Sequence, residues 1–138
     1  MSRVDFYLIP QAGAQARLLF ACRLLEKAYQ QEQPVYVHLE NAEKARFFDQ
    51  LLWTYRDDSF IPHHLIEEKA NLNSPIQLGY TPQPATQAEI LLNLGGDVPQ
   101  FHERFKRILE ILPPDAETHP ARAFYEAQGY TINQHQIR

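Results

Sequence analysis

The sequence predicts an α/β fold: one domain of three layers, with a mostly parallel, mixed central sheet flanked by helices. Three observations predict it. The chain has 138 residues, the length of one compact domain spanning 1–138. Its first half alternates short apolar runs with segments whose apolar residues recur every three or four positions. Strand, helix, strand, helix in that order makes a βαβ unit, and such units run their strands parallel.

The elements follow in order. VDFYLI (4–9) is rich in branched and aromatic residues and reads as a buried strand. AQARLLFACRLLEKAYQ (14–30) places Leu18, Ala21, Cys22, Leu25, Ala28 and Tyr29 on one helical stripe. Pro34 then precedes a second strand, VYVHL (35–39). Asn41 is suited to cap the next helix, whose Ala45, Phe48 and Leu52 share a face. After a loop at NLNSP, IQLGY (76–80) and EILLNL (89–94) read as strands, divided by the Pro-broken TPQPATQ. FHERFKRILEIL (101–112) has two readings. Phe101, Phe105, Ile108 and Leu112 fit a helix, while ILEIL alone fits a strand; PPD ends it in either case. Residues 117–128 form a short last helix closed by Gly129, and YTIN follows as a candidate strand.

Composition excludes several classes. With 44% hydrophobic and 22% charged residues the chain is an ordinary globular one. No apolar run approaches the roughly 20 residues of a membrane span. MSRVDFYLIP is too short and too acidic to serve as a signal peptide. One Cys cannot form an internal disulfide, which fits a reducing cytoplasmic location. A net charge of −4 disfavours a direct grip on nucleic-acid phosphates.

Catalytic motifs are missing. The loop after the first strand, PQAGAQA, has one Gly where a dinucleotide site needs G-x-G-x-x-G, and no G-x-x-x-x-G-K-[ST] occurs. The topology is therefore Rossmann-like without a nucleotide-binding motif, and no cofactor is implied. Gly95-Gly96 reads as a plain turn. His63-His64 lacks a third ligand at zinc spacing, so no metal is assigned. Cys22 sits on the apolar face of its helix, Asp57-Asp58 and Glu67-Glu68 read as solvated charges, and no catalytic residue is assigned.

One stretch resists a purely structural reading: LLWTYRDDSFIPHHL (51–65). One helix cannot bury Phe47, Phe48, Leu51, Leu52 and Trp53 on the same side. Tyr55, Phe60, Ile61 and Pro62 then follow in a segment whose DDS suggests a surface turn. Large rigid aromatics near a surface are typical interface anchors. The other reading, aromatics folded back over the core, stays equally open.

This block resembles the family of the chi subunit of bacterial DNA polymerase III, whose members carry Leu-Trp and, after a polar turn, Ser-Phe-[hydrophobic]-Pro-His. Leu52-Trp53 and Ser59-Phe60-Ile61-Pro62-His63 match in type and spacing. VDFYLI, QPVYVHLENAEKARFFDQLLW, EILLNLGGDVPQFHERFKRILEIL and ARAFYEAQGY resemble further family segments, so the likeness spans nearly the whole chain and favours a strand at 107–112. The resemblance implies a non-catalytic accessory subunit of the polymerase holoenzyme. It would join the psi subunit of the clamp loader to the acidic, Phe-terminated tail of single-stranded-DNA-binding protein, touching DNA only indirectly. Trp53, Phe60 and Pro62 carry over as psi-binding residues. For the tail, the family's Arg-x-x-Tyr spacing is matched by Arg122 and Tyr125; ungapped counting back from Gly129 instead offers His119. Arg104, Lys106 and Arg107 add positive charge, though at least two read as a solvated face. The alternatives are a small-molecule or nucleotide-binding α/β enzyme, supported by fold analogy alone, and a direct single-strand binder, against which the acidic balance argues.

Overall fold

The computed structural model describes residues 2–11, 13–56, 60–68, 74–113 and 119–137. Its centre is a seven-stranded sheet: β1 (Arg3–Leu8), β2 (Val35–His38), β3 (His63–Leu65), β4 (Ile76–Gly79), β5 (Ile90–Asn93), β6 (Arg107–Leu112) and β7 (Thr131–Gln136). The spatial order is β3-β4-β2-β5-β6-β1-β7. Every described pairing is parallel, whereas the sequence admits a mixed sheet. The physical reason lies in the connections: each is long enough to return the chain to the same sheet end, with or without a helix.

Helix α1 (Ala14–Gln30) has the predicted bounds, and it buries Ala21, Cys22, Leu25 and Ala28. Helix α2 (Ala42–Thr54) buries Ala45, Phe48 and Leu52, and the Asn41 side chain accepts from the Lys44 N–H at 2.9 Å. Both helices pack on one face of the sheet, against Val35, Val37, Ile76, Leu78, Leu92, Leu109 and Ile111. Helix α3 (Pro120–Ala127) covers the other face, where Ala121 and Tyr125 meet Val4, Phe6, Leu8, Ile108 and Leu112. The pleat explains the division: alternate residues of β1 point to opposite faces. Gly129 follows α3 with φ 87°, the left-handed conformation that favours Gly at a helix end.

The two readings of 101–112 each hold over part of the segment. A 3₁₀ turn occupies His102–Arg104, and β6 begins at Arg107. β3 is an element that periodicity does not reveal. It has three residues, two of them His, and all three are buried. The polar turn expected at DDS, most of NLNSP, the acidic pair Asp57-Asp58 and the start of PPD-to-α3 lie outside the described residues.

Space is tight where β4 ends beside β2. A Cβ added at Gly79 would stand 2.5 Å from the Tyr36 hydroxyl oxygen. Tyr36 cannot easily yield, since it is fully buried and stacked on Phe105 at 6.0 Å. Gly79→Ala is expected to cost about 1–3 kcal/mol of stability by overpacking, read as a lowered urea midpoint at unchanged m-value.

Candidate functional site

Helix α2 has a second face that its buried residues dictate. With Ala45, Phe48 and Leu52 turned inward, Asp49 and Trp53 fall to one side, above the β3 edge of the sheet. The chain then returns as Phe60-Ile61-Pro62-His63 with strand-like alternation. Phe60 is 67% exposed, Ile61 is 1% exposed, Pro62 is half-buried and His63 is buried. Ile61 plugs into the core cluster and so presents Phe60 outward.

Trp53 and Phe60 meet there, ring centroids 5.4 Å apart and tilted by 38°. Trp53 remains 39% exposed. Its other neighbour is the His63 ring, centroid to centroid 4.0 Å. His63 is fixed in turn: its Nδ1 lies 2.6 Å from the Ile61 carbonyl oxygen, and its Nε2 lies 3.1 Å from the Asp49 carbonyl oxygen and 3.2 Å from the Asp49 carboxylate. Trp53 thus rests on a buried, doubly tethered support, and Phe60 rests on Trp53. Trp53, Phe60, Pro62 and His63 line a groove of about 320 Å³, with Asp49 and Glu68 beside them. The three residues assigned to one surface from the sequence lie together. His63 and Asp49, which hold them, were not among the candidates; the alternation from Phe60 to His63 is the signal that points to a supported edge.

The second group is arranged otherwise. His119 caps α3, its Nδ1 accepting from the Ala121 N–H at 3.1 Å. Its ring opens on a cavity of about 240 Å³ that Arg17, Asn93 and Glu110 also line. Arg122 reaches away from that cavity, donating to Glu126 Oε1 at 3.0 Å and to the Gln134 side-chain oxygen on β7. Tyr125 has no exposed surface. Its hydroxyl donates to Glu110 Oε2 at 2.7 Å, and its ring packs edge-on against Phe6. The three candidates therefore share no pocket among the described residues. In the free chain the Tyr125 ring is sealed beneath its own helix and presents no face to solvent. Phe124, next to it, is the exposed aromatic of α3, and the His102 ring meets it edge-on at 5.3 Å.

The cations near β6 are occupied. The Arg104 guanidinium donates to the carbonyls of Pro84 and Thr86 at 2.8 and 3.1 Å. Arg107 pairs with buried Asp5 at 2.6 Å, so these two act as clamps rather than as a solvated face. Lys106 pairs with Glu89 at the surface. Cys22 is buried among apolar neighbours, and burial pushes its thiol up to about 12, far from a reactive thiolate.

Glu110 and Asp5 are buried acids of the sheet whose titration bears on stability. Burial pushes the Glu110 carboxyl above the ordinary range; hydrogen bonds from Asn93 and Tyr125 and the charge of Arg17 pull down, but less. A raised folded-state pKa means that folding takes up a proton as the medium becomes less acidic. This contribution to stability is complete below the unfolded pKa and is lost as pH rises through the folded value. Asp5 has the opposite sign: burial opposes its ionisation, but hydrogen bonds from His135 and Arg107 and the charges of Arg107 and Arg3 together outweigh burial and lower its pKa. The expected result for Glu110→Gln is a smaller loss of thermal stability from mildly acidic to neutral pH than in the unsubstituted chain. Melting curves of both proteins across that range isolate Glu110, because Asp5 is common to them.

Among the described residues no helix is long and apolar enough to cross a membrane. The fold is similar to that of a solved structure titled "Mss116p DEAD-box helicase domain 2 bound to an RNA duplex", with TM-score 0.66 at 10% identity, covering 98% of this chain and 64% of that one. At that identity the likeness concerns the fold alone. In sequence, residues 1–133 match the family described as "DNA polymerase III chi subunit, HolC". The chain is 38% identical over 141 residues to the DNA polymerase III subunit chi of Pseudomonas aeruginosa, covering 99% of this chain and 98% of that protein. It is 24% identical to the subunit of the same name from Escherichia coli, over 96% and 97% of the two chains. On the matched length and these identities, the chain belongs to the DNA polymerase III chi subunit family.

Proposed function

We propose that this chain is a non-catalytic adaptor of the DNA polymerase III holoenzyme, working in the cytoplasm. On this reading it joins the psi subunit of the clamp loader to the acidic, Phe-terminated tail of single-stranded-DNA-binding protein. The observation that carries the first half is the Trp53–Phe60 ring pair, held outward over its groove by Ile61 and His63. Two aromatics and Pro62 bury apolar area while little rotamer freedom is lost, which is the economy of a protein-binding anchor. The tail half rests on Arg122 as the cation for a terminal carboxylate, with His119 as the fallback residue at the N-cap of the same helix, and on exposed Phe124 for a ring. Tyr125 supports that helix from beneath through Glu110.

The test is two independent titrations of the full chain, one with psi and one with a peptide copying the tail. Saturable binding of both partners at once, forming a ternary complex, is the expected result. Failure of the chain to bind psi ends the adaptor reading. Competition between the two partners ends the bridging part of it.

A further inference from the structure

The net charge of −4 is unevenly placed over the molecule. On the sheet face that carries the first two helices, α1 packs over β6, and beyond it the outer strands β1 and β7 stay open: Arg3, Thr131 and His135 are exposed. Alternation puts Arg3, Asp5 and Tyr7 on this floor beside Thr131, Asn133 and His135. The flank of α1 forms a wall. Its Phe20 ring meets Tyr7 at 5.6 Å, and its Lys27 lines one groove of about 150 Å³ with Tyr7 and Arg107. Two features of this trough point to the same ligand. The first is charge. Arg3, Lys27 and Arg107 face a single carboxylate, Asp5, which is buried. Arg107 meets it at 2.6 Å and Arg3 at 3.3 Å, so two guanidiniums share one negative charge and a positive excess remains. Lys27 is exposed and has no ion pair among the described residues. The second is stacking. The His135 ring lies on Tyr7, centroids 4.8 Å apart and 15° from parallel. His135 has no other ring neighbour among the described residues, so this column ends in an exposed imidazole on which a planar group can be laid.

We propose that this trough takes single-stranded nucleic acid, with one base stacked on His135 and the flanking phosphates against Arg3, Lys27 and Arg107. An acidic peptide would use the cations and leave the ring column without a partner; a nucleotide uses both. A single strand can turn a base out onto a ring, whereas a duplex keeps its bases inside. The trough lies toward the β7 margin, away from the Trp53 groove at the β3 margin, and the inference does not draw on the adaptor reading.

The test is fluorescence anisotropy of a labelled oligothymidylate of about ten nucleotides with the full chain, at rising salt. Three phosphate contacts predict a slope of about −2 in the logarithm of affinity against that of salt, roughly a twentyfold weakening from about 50 to 200 mM. Lys27→Gln, at an exposed position without an ion pair, is expected to weaken binding at low salt and to flatten the slope by about 0.7. His135→Ala is expected to weaken it about fivefold or more, as loss of a stacking partner does. His135→Phe keeps a ring at the end of the column and gives up the contact with Asp5 at 2.9 Å; it is expected to bind nearly as well as the unsubstituted chain. Absence of binding at low salt, or binding that salt does not weaken, overturns the proposal. So does a duplex that binds as tightly as the single strand. If His135→Phe falls as far as His135→Ala, or if Lys27→Gln changes nothing, the strand does not lie in this trough. Displacement of the oligonucleotide by polyglutamate at equal charge assigns the trough to an acidic polypeptide and overturns the proposal as well.

Discussion

Trp53→Ala weakens capture of psi by about 2 kcal/mol or more, roughly a thirtyfold rise in Kd, if the ring pair is the central anchor of that surface. The magnitude follows from position. Trp53 is 39% exposed in the free chain, so a large apolar face is available to be covered. Its other side already rests on His63, which removes most of the freedom that binding would otherwise have to quench. Phe60→Ala is expected to act in the same direction. Because the two rings touch, the double variant should lose less than the sum of the single losses. Isothermal titration of psi with the four proteins of this cycle checks both statements. Unchanged affinity in both single variants, with near-ultraviolet circular dichroism confirming the fold, removes psi from this face.

Ile61→Ala is expected to cost about 2–5 kcal/mol of folding stability, the range for truncating a buried aliphatic side chain. Ile61 is sealed in the cluster that also holds Leu52, Leu65 and Phe48. Its removal does more than open a cavity. Phe60 and Pro62 flank it in sequence, and its carbonyl is the oxygen beside His63 Nδ1. Psi affinity should therefore fall as well, although Ile61 offers the partner no surface. Chemical denaturation reports the first effect and titration at low temperature, where the variant is still folded, the second. A stability loss below about 1 kcal/mol, typical of a surface substitution rather than a core one, would show that Ile61 is not the plug.

Much of the fold was legible because period and capping are local. The stripe of Ala21, Cys22, Leu25 and Ala28 set α1, and Asn41 set the start of α2. β3 was not legible: three residues are too few to show a period, and His63 and His64 disguise a buried strand as a polar turn. Of the candidate surface, Trp53 and Phe60 could be picked out because one helix cannot bury so many adjacent apolar side chains. That they stand on His63, and that His63 stands on Asp49, depends on residues 14 apart in the chain. Tyr125 shows the limit from the other side. Its spacing from Arg122 suited a shared contact, but a helix of eight residues must bury something large, and here it buries that ring.

The strand order gives the chain a further mechanical property. The Trp53 groove overhangs the β3 margin and α3 lies toward the β7 margin, at opposite ends of the seven described strands. Six gaps of about 4.8 Å set those margins roughly 29 Å apart. A hydrogen-bonded plate of that width bends little, so whatever docks at one end feels a fixed offset from whatever docks at the other. Were two partners to dock at these margins as proposed, the plate would act as a gauge block that sets their distance.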